Sequence, residues 1–263
     1  AEKLDLKFSE GKYICVGLDT DPLKIPPHFR GEADAIYLFN KAIIEATIGE
    51  AAAYKLNFAF YECHGPEGMA AMKRTVDLIR SLDPTVAVIG DAKRGDIGNT
   101  SAMYAEAIFN IYGFDCSTLA PYMGKDSLDP FFAFSDRINF VLVLTSNPGS
   151  KDFEKLELGS GVPLYKEVAR KLKAWYPAEK LGMVFGATNK TDLENDIAGL
   201  AGNFILLPGV GAQGGSASDI SSVFRSAGHK RFLINASRSV IFASSGEDFA
   251  VAAMNELRVL NTQ

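Results

Sequence analysis

The sequence predicts an α/β fold: a single barrel of eight parallel strands, each followed by a helix. Three observations predict it. Short apolar, β-branched stretches alternate with longer amphipathic ones, the pattern of a parallel sheet wrapped by helices. Eight such pairs can be counted along the chain. Shared among eight βα units, 263 residues come to about 33 each, the size expected of a (β/α)8 TIM barrel of roughly 250 residues. An open, doubly wound sheet shows the same alternation, and periodicity alone does not show closure, so it stands as the second fold. No linker, low-complexity tract or charge run divides residues 1–263, which read as one domain.

The first strand is 13–18 (YICVGL), followed by a helix over 33–48. The second pair is strand 51–57 (AAAYKLN) and helix 66–82, with Pro66 at the helix start. Strand 86–91 (VAVIGD) leads to helix 98–112, where Met103, Ala107, Ile108 and Ile111 recur at three- and four-residue intervals and predict one buried face. Strand 115–119 (DCSTL) is followed by helix 125–134 just after Gly124, and strand 138–145 (INFVLVLT) by helix 161–175, punctuated by Pro163. The last three pairs are 181–187 (LGMVFGA) with 190–200, 203–207 (NFILL) with 217–227, and 231–236 (RFLINA) with 247–259.

Composition narrows the function classes. With 47% hydrophobic and 22% charged residues and no apolar run long enough to span a bilayer, the chain has the composition of a soluble globular protein. A net charge of −5 argues against a broad nucleic-acid footprint but leaves room for a local basic pocket holding one phosphate. The first residues, AEKLDLKFSEGK, lack the apolar core of a signal peptide, and a cytoplasmic location is expected. Cys15, Cys63 and Cys116 form no CxxC pair and read as small buried core residues. His28, His64 and His229 form neither HxH nor HExxH, so a His-ligated metal or a His-based triad has little support, and no metal is expected.

In such a barrel the reacting groups sit at the carboxyl ends of the strands and in the loops that follow. The first strand runs into Asp19, the second carries Lys55 and Asn57, and the third runs into Asp91-Ala-Lys93-Arg-Gly-Asp96. Charges that end apolar strands are unexpected for packing, because burying an unpaired charge is costly. Lysines and aspartates placed together can compensate one another. Asp91 and Lys93 are two apart, so while the strand stays extended both point to the same side of the sheet. An isolated DxKxxD also reads as a solvated turn with a helix-start Asp; its place where a buried strand meets a loop favours a site. A second constellation comes late: the glycine-rich run 207–215 (LPGVGAQGG), then Ser237-Arg238. Glycines expose backbone N–H groups, Arg adds a forked donor, and the loops after the seventh and eighth strands are the usual phosphate place in these barrels. Taken alone the run also reads as a flexible loop. No GK[ST] follows it, and it sits too late for a dinucleotide fingerprint, so a phosphorylated small molecule is the expected ligand.

Together with DAKRGDIGNTS at 91–101, the chain carries GLD at 17–19, YKLN at 54–57, TSNPG at 145–149 and SRS at 237–239. In these motifs and their order it resembles the orotidine 5'-monophosphate (OMP) decarboxylase family, in particular its longer bacterial form, over nearly the whole chain. The resemblance implies a metal- and cofactor-independent decarboxylation of OMP to UMP and CO2, the last step of de novo UMP biosynthesis. It implies a charged catalytic tetrad of Lys55, Asp91, Lys93 and Asp96, with Lys93 stabilising and protonating a carbanion-like C6. It implies a homodimer in which Asp96 and Thr100 reach the neighbouring subunit's site. Asp19 then meets the ribose together with Lys55, Ser146 the pyrimidine, and Gln213 and Arg238 the phosphate. Asn57, Ile97, Pro208 and Ser237 complete the expected substrate-binding set, and the loop 208–215 closes over the nucleotide. The stretch 147–161 has no assigned role. Competing readings are a metal-dependent sugar-phosphate barrel such as a hexulose-phosphate synthase or a keto-gulonate-phosphate decarboxylase, a Schiff-base aldolase, and a nucleotide-binding module without catalysis.

Overall fold

The computed structural model describes residues 1–186, 190–209 and 216–263. All eight expected strands form: β1 Ile14–Gly17, β2 Ala53–Asn57, β3 Ala87–Arg94, β4 Cys116–Leu119, β5 Ile138–Leu144, β6 Leu181–Phe185, β7 Phe204–Leu207 and β8 Phe232–Ala236. They pair in parallel in chain order, and β1 also pairs with β8, placing Cys15 opposite Asn235. The sheet is therefore a closed barrel, and the open alternative is excluded. Residue 187, the end of the sixth expected strand, lies outside the described residues.

The helices are α1 Glu2–Ser9, α2 Ala35–Thr47, α3 Ala59–Glu62, α4 Gly65–Leu82, α5 Gly98–Glu106, α6 Lys125–Phe132, α7 Leu164–Trp175, α8 Lys190–Leu200, α9 Ala217–Ser226, α10 Arg238–Ile241 and α11 Phe249–Thr262. Among the described residues, eight of these helices are the expected ones, and α1, α3 and α10 are additions. Pro66 lies in the first turn of α4, and Gly124 caps α6 at φ +95°, a conformation that suits glycine. The fifth expected helix starts three residues late, at Leu164, because Pro163 is held in an antiparallel bridge with Glu157.

Strand alternation sorts the apolar residues into two layers. Val16, Tyr54, Leu56, Val88, Val141 and Ile205 join the helices in the larger core. Cys15, Ala53, Ile89, Cys116, Phe140, Phe204 and Leu233 fill the barrel interior. Within that interior Gly182 faces the Phe140 ring, where a Cβ would stand 2.3 Å from a ring carbon. Leu4 and Phe8 of α1 join this inner cluster and stopper the amino end of the barrel. Cys63 departs from the expected burial: it caps the short α3 and is exposed.

The buried face expected for 98–112 is corrected in part: Ile108 is buried as expected, but Met103 and Ile111 are not. The α-helix ends at Glu106 and continues as one π turn, Ala107–Ile111, which shifts the face. Ser101, Ala105, Ile108 and Phe109 are buried, whereas Met103 is 65% and Ile111 60% exposed. The small residues win the inner face because α5 lies close against α6, where the Ser101 hydroxyl donates to the Ser127 carbonyl at 2.6 Å.

Candidate active site

The inward positions change character along each strand. Low in the barrel they are apolar; two or four residues further on they are Lys55 and Asn57 on β2, Asp91 on β3, Thr118 on β4 and Asn235 on β8. Barrel register brings these together, since Gly17 lies beside Lys55 and Asn57 beside Asp91.

Lys55 is buried, its ammonium 2.9 Å from Asp91 Oδ2 and 3.7 Å from Asp19 Oδ1. The other Asp91 oxygen accepts hydrogen bonds from Lys93 Nζ at 2.7 Å and from the Thr118 hydroxyl at 2.8 Å. One carboxylate is thus shared by two ammonium groups. Burial alone works against the Asp91 anion, but Lys55 and Lys93 overcome it and hold the carboxyl far below its usual range. Burial likewise works against the Lys55 cation, and the carboxylates of Asp91 and Asp19 outweigh it, raising Lys55 above the usual lysine range. Both groups stay charged across physiological pH.

Asp91 and Lys93 do not meet by extension of the strand, as their spacing suggests. The β3–β4 register slips between Gly90 and Arg94, and Lys93 adopts φ +48°, the left-handed region, which turns its side chain back to Asp91. Among the described residues it is the one non-glycine with positive φ. Holding a lysine there costs on the order of 1 kcal/mol, and such strain tends to persist where surrounding structure enforces it.

A cavity of roughly 360 Å³ opens above this cluster. Of the expected site residues it is lined by Asp19, Lys55, Asn57, Asp91 and Lys93 on one side and by Ser146, Pro208, Ser237 and Arg238 on the other. Asp19 Oδ1 and Asn235 Oδ1 are buried without a hydrogen-bond partner among the described residues, which suits acceptors kept for a ligand's hydroxyl or N–H. The Ser237 hydroxyl donates to the Gly17 carbonyl at 2.9 Å and seals the β8–β1 seam. Asn57 Oδ1 accepts the Ala59 amide at 3.2 Å, starting α3.

Asp96, Ile97 and Thr100 are not among the lining residues. They follow β3 and open α5; the Asp96 carboxylate accepts the Ile97 amide at 2.7 Å, and Ile97 and Thr100 are exposed. Gln213 and most of the loop 208–215 lie outside the described residues.

Sequence reasoning missed Thr118, Asn235, Thr145 and Asn147, which also line the cavity. The available signal was parity: Thr118 is two residues beyond the inward Cys116, and Asn235 two beyond the inward Leu233. The stretch 147–161 also acquires a task. Glu154 reaches back to accept the Thr145 amide at 2.7 Å and its hydroxyl at 2.8 Å, bracing the end of β5 beside Ser146.

A family model described as the orotidine 5'-phosphate decarboxylase / HUMPS family matches residues 12–253. The chain belongs to this family. The orotidine 5'-phosphate decarboxylase of Christiangramia forsetii is 45% identical over 251 residues, covering 95% of this chain and 92% of that protein. Among solved structures, Leishmania donovani OMP decarboxylase is 33% identical with a TM-score of 0.81, each chain covered in full. Leishmania donovani UMP synthase is 35% identical with a TM-score of 0.84; the match covers 99% of this chain but only 55% of that one. This member of the orotidine 5'-phosphate decarboxylase / HUMPS family therefore holds its shared carboxylate at the mouth of a closed barrel. Among the described residues, none of its helices is long and apolar enough to cross a membrane.

Proposed function

We propose that residues 1–263 form one catalytic domain that decarboxylates OMP to UMP and CO2 in the cytoplasm, completing de novo UMP biosynthesis without metal or cofactor. The observation that carries this reading is the buried Asp91 carboxylate held between Lys55 and Lys93 at the floor of the cavity. Decarboxylation breaks the C6–carboxylate bond and leaves the electron pair on C6. That developing carbanion needs a fixed positive charge in a water-poor place, where an ammonium acts more strongly than in solution. Lys93 supplies the charge and then gives C6 its proton, which solvent later restores. Lys55 and Asp91 keep the ammonium in place, and Asp91 also crowds the substrate carboxylate, a secondary contribution.

The remaining roles follow the cavity. Asp19 and Lys55 take the ribose, Ser146 the pyrimidine, and Arg238 with Gln213 the phosphate, while Asn57, Pro208 and Ser237 complete the walls. Binding of the distant phosphate then helps organise the reacting end. Asp96 and Thr100, with Ile97 beside them, lie off this cavity, and Asp96 and Thr100 serve the site of a second copy in a homodimer. In support, they adjoin an outward apolar surface carrying Ile97, Met103, Tyr104 and Ile111, the kind of patch that marks an interface.

The family description also covers HUMPS proteins, so a metal-dependent sugar-phosphate reaction is the second reading. The relative's 45% identity and its name favour the first. So does the occupation of both Asp91 oxygens by ammonium groups, which disfavours a divalent cation beside them. The deciding experiment follows OMP absorbance in EDTA and identifies UMP and CO2. Rapid conversion supports the proposal; no conversion, with turnover of a sugar phosphate on adding a divalent metal, replaces it with the second reading.

A further inference from the structure

Thr118 is an inward residue of β4, 1% exposed, two residues beyond the apolar Cys116 and at the level of Asp91. Its hydroxyl makes two bonds that converge on one lysine. It accepts the backbone amide of Lys93 at 3.0 Å and donates to Asp91 Oδ1 at 2.8 Å, the same oxygen on which the Lys93 ammonium rests.

The location explains why a hydroxyl stands there. The β3–β4 ladder pairs Ile89 with Cys116 and Gly90 with Ser117, then resumes at Arg94 with Leu119. Gly90 to Arg94 is four steps where Ser117 to Leu119 is two, so β3 bulges over the stretch that carries Asp91 and Lys93. A regular ladder would satisfy the Lys93 amide with a backbone carbonyl. In the bulge that amide is left to the Thr118 hydroxyl, at the residue whose φ is +48°. Thr118 thus holds both the turned backbone of Lys93 and the carboxylate oxygen that receives its ammonium.

We infer that Thr118 is a positioning residue that sets where the Lys93 ammonium stands. The inference rests on the reading that Lys93 acts at C6 of OMP. It concerns the chemical step more than substrate capture, because, although the side chain also lines the cavity, both hydrogen bonds of the Thr118 hydroxyl go to the lysine and its carboxylate.

The test compares Thr118→Val, which keeps the shape and loses both bonds, with Thr118→Ser, which keeps the hydroxyl, in the full-length chain. A hydrogen bond to a charged group contributes about 1.5–3 kcal/mol, which is about 10- to 150-fold in rate. Thr118→Val is expected to lower kcat by that factor with KM for OMP and Kd for UMP within about threefold of the parent, and Thr118→Ser to recover most of the loss. Should the valine variant fail to fold, Thr118→Ala, which only removes atoms, carries the same expectation. Unchanged kcat in the variant lacking the hydroxyl, with an active parent, overturns the Thr118 assignment alone. So does a serine variant as slow as the valine one, or a loss that falls on KM. A parent chain that does not decarboxylate OMP overturns the assignment together with the reading beneath it.

Discussion

The two ends of the barrel are built from the same alternating strands and use charge in opposite ways. At the amino end Leu4 and Phe8 of α1 close the interior, and the charges, the buried Lys7 included, sit around them in small groups in which each ion pair keeps at least one partly exposed partner. Lys3 meets Asp115 at 2.8 Å, Lys7 meets Asp83 at 3.1 Å, and Arg231 grips both oxygens of Asp5 at 2.9 Å. The inward thiol there, Cys116, is pushed up to about 12 by burial and stays neutral. At the carboxyl end a carboxylate and an ammonium are buried together, and one backbone residue is forced into the left-handed region to complete the cluster. One end spends its residues on closure; the other keeps buried charges in place, where apolar residues of similar volume often give equal or greater stability. That asymmetry separates a floor from a site.

The largest effect expected is on turnover. Lys93→Ala should lower OMP decarboxylation by at least about a thousandfold while circular dichroism shows an intact fold. Ordinary turnover would make the mouth cluster as structural as the rim. Mixing Lys93→Ala with Asp96→Ala subunits comes next. If Asp96 serves the partner's site, random exchange leaves one intact site in each mixed dimer, restoring about a quarter of parent activity. No recovery despite mass-spectrometric proof of exchange would remove Asp96 from the shared site.

Asp91→Asn should cost about 3–5 kcal/mol of stability at pH 7 in urea unfolding, because Lys55 then lacks its main partner. The pH dependence has a definite sign. Asp91 titrates lower in the native than in the unfolded chain, so its contribution is present above about pH 4 and is lost as pH falls through the native value. Lys55 titrates higher in the native chain, so its contribution is present below about pH 10 and is lost as pH rises through its native value. The gap between parent and Asp91→Asn should therefore be widest near neutrality and narrow in acid; a gap unchanged with pH would contradict the buried pair.

Leu4→Ala, at the opposite end, should cost about 2–4 kcal/mol by the same measurement and leave kcat unaltered. A fall in kcat would show that the stopper is felt at the mouth. The smallest effect is expected at the rim, where Asp5→Ala breaks a partly exposed pair and should cost no more than about 1 kcal/mol.

Much of this contrast is legible in the amino-acid sequence. The eight strands follow from runs such as VAVIG and FVLVL, too short for helices and too apolar for loops. The site follows from charges at the ends of three such runs. What stays hidden depends on neighbours distant in the chain. Leu4 and Phe8 are two apolar residues in a charged segment, and become a stopper only where a barrel end awaits them. Met103 and Ile111 match the helical period as well as Ser101 and Ala105 do; the nearness of α6 chooses the smaller pair. The left-handed turn of Lys93 has no local sign, since glycine is the usual occupant of that region and here it is enforced from β4. Asn235 is visible as a polar residue in FLINA, but its meaning depends on knowing which parity faces inward.

Closure of β1 on β8 has a bearing on how the molecule is made. Ile14 pairs with Ile234, so the first strand waits for the last, roughly 10–40 s later at a synthesis rate of 5–20 residues per second. Through that interval the growing sheet has open edges, the state in which chains recruit one another. The strand that seals the seam is followed at once by Arg238, so the last cation at the cavity wall arrives with the closing strand. A nascent chain accordingly carries Lys55, Asp91 and Lys93 long before the cation that completes the cavity wall.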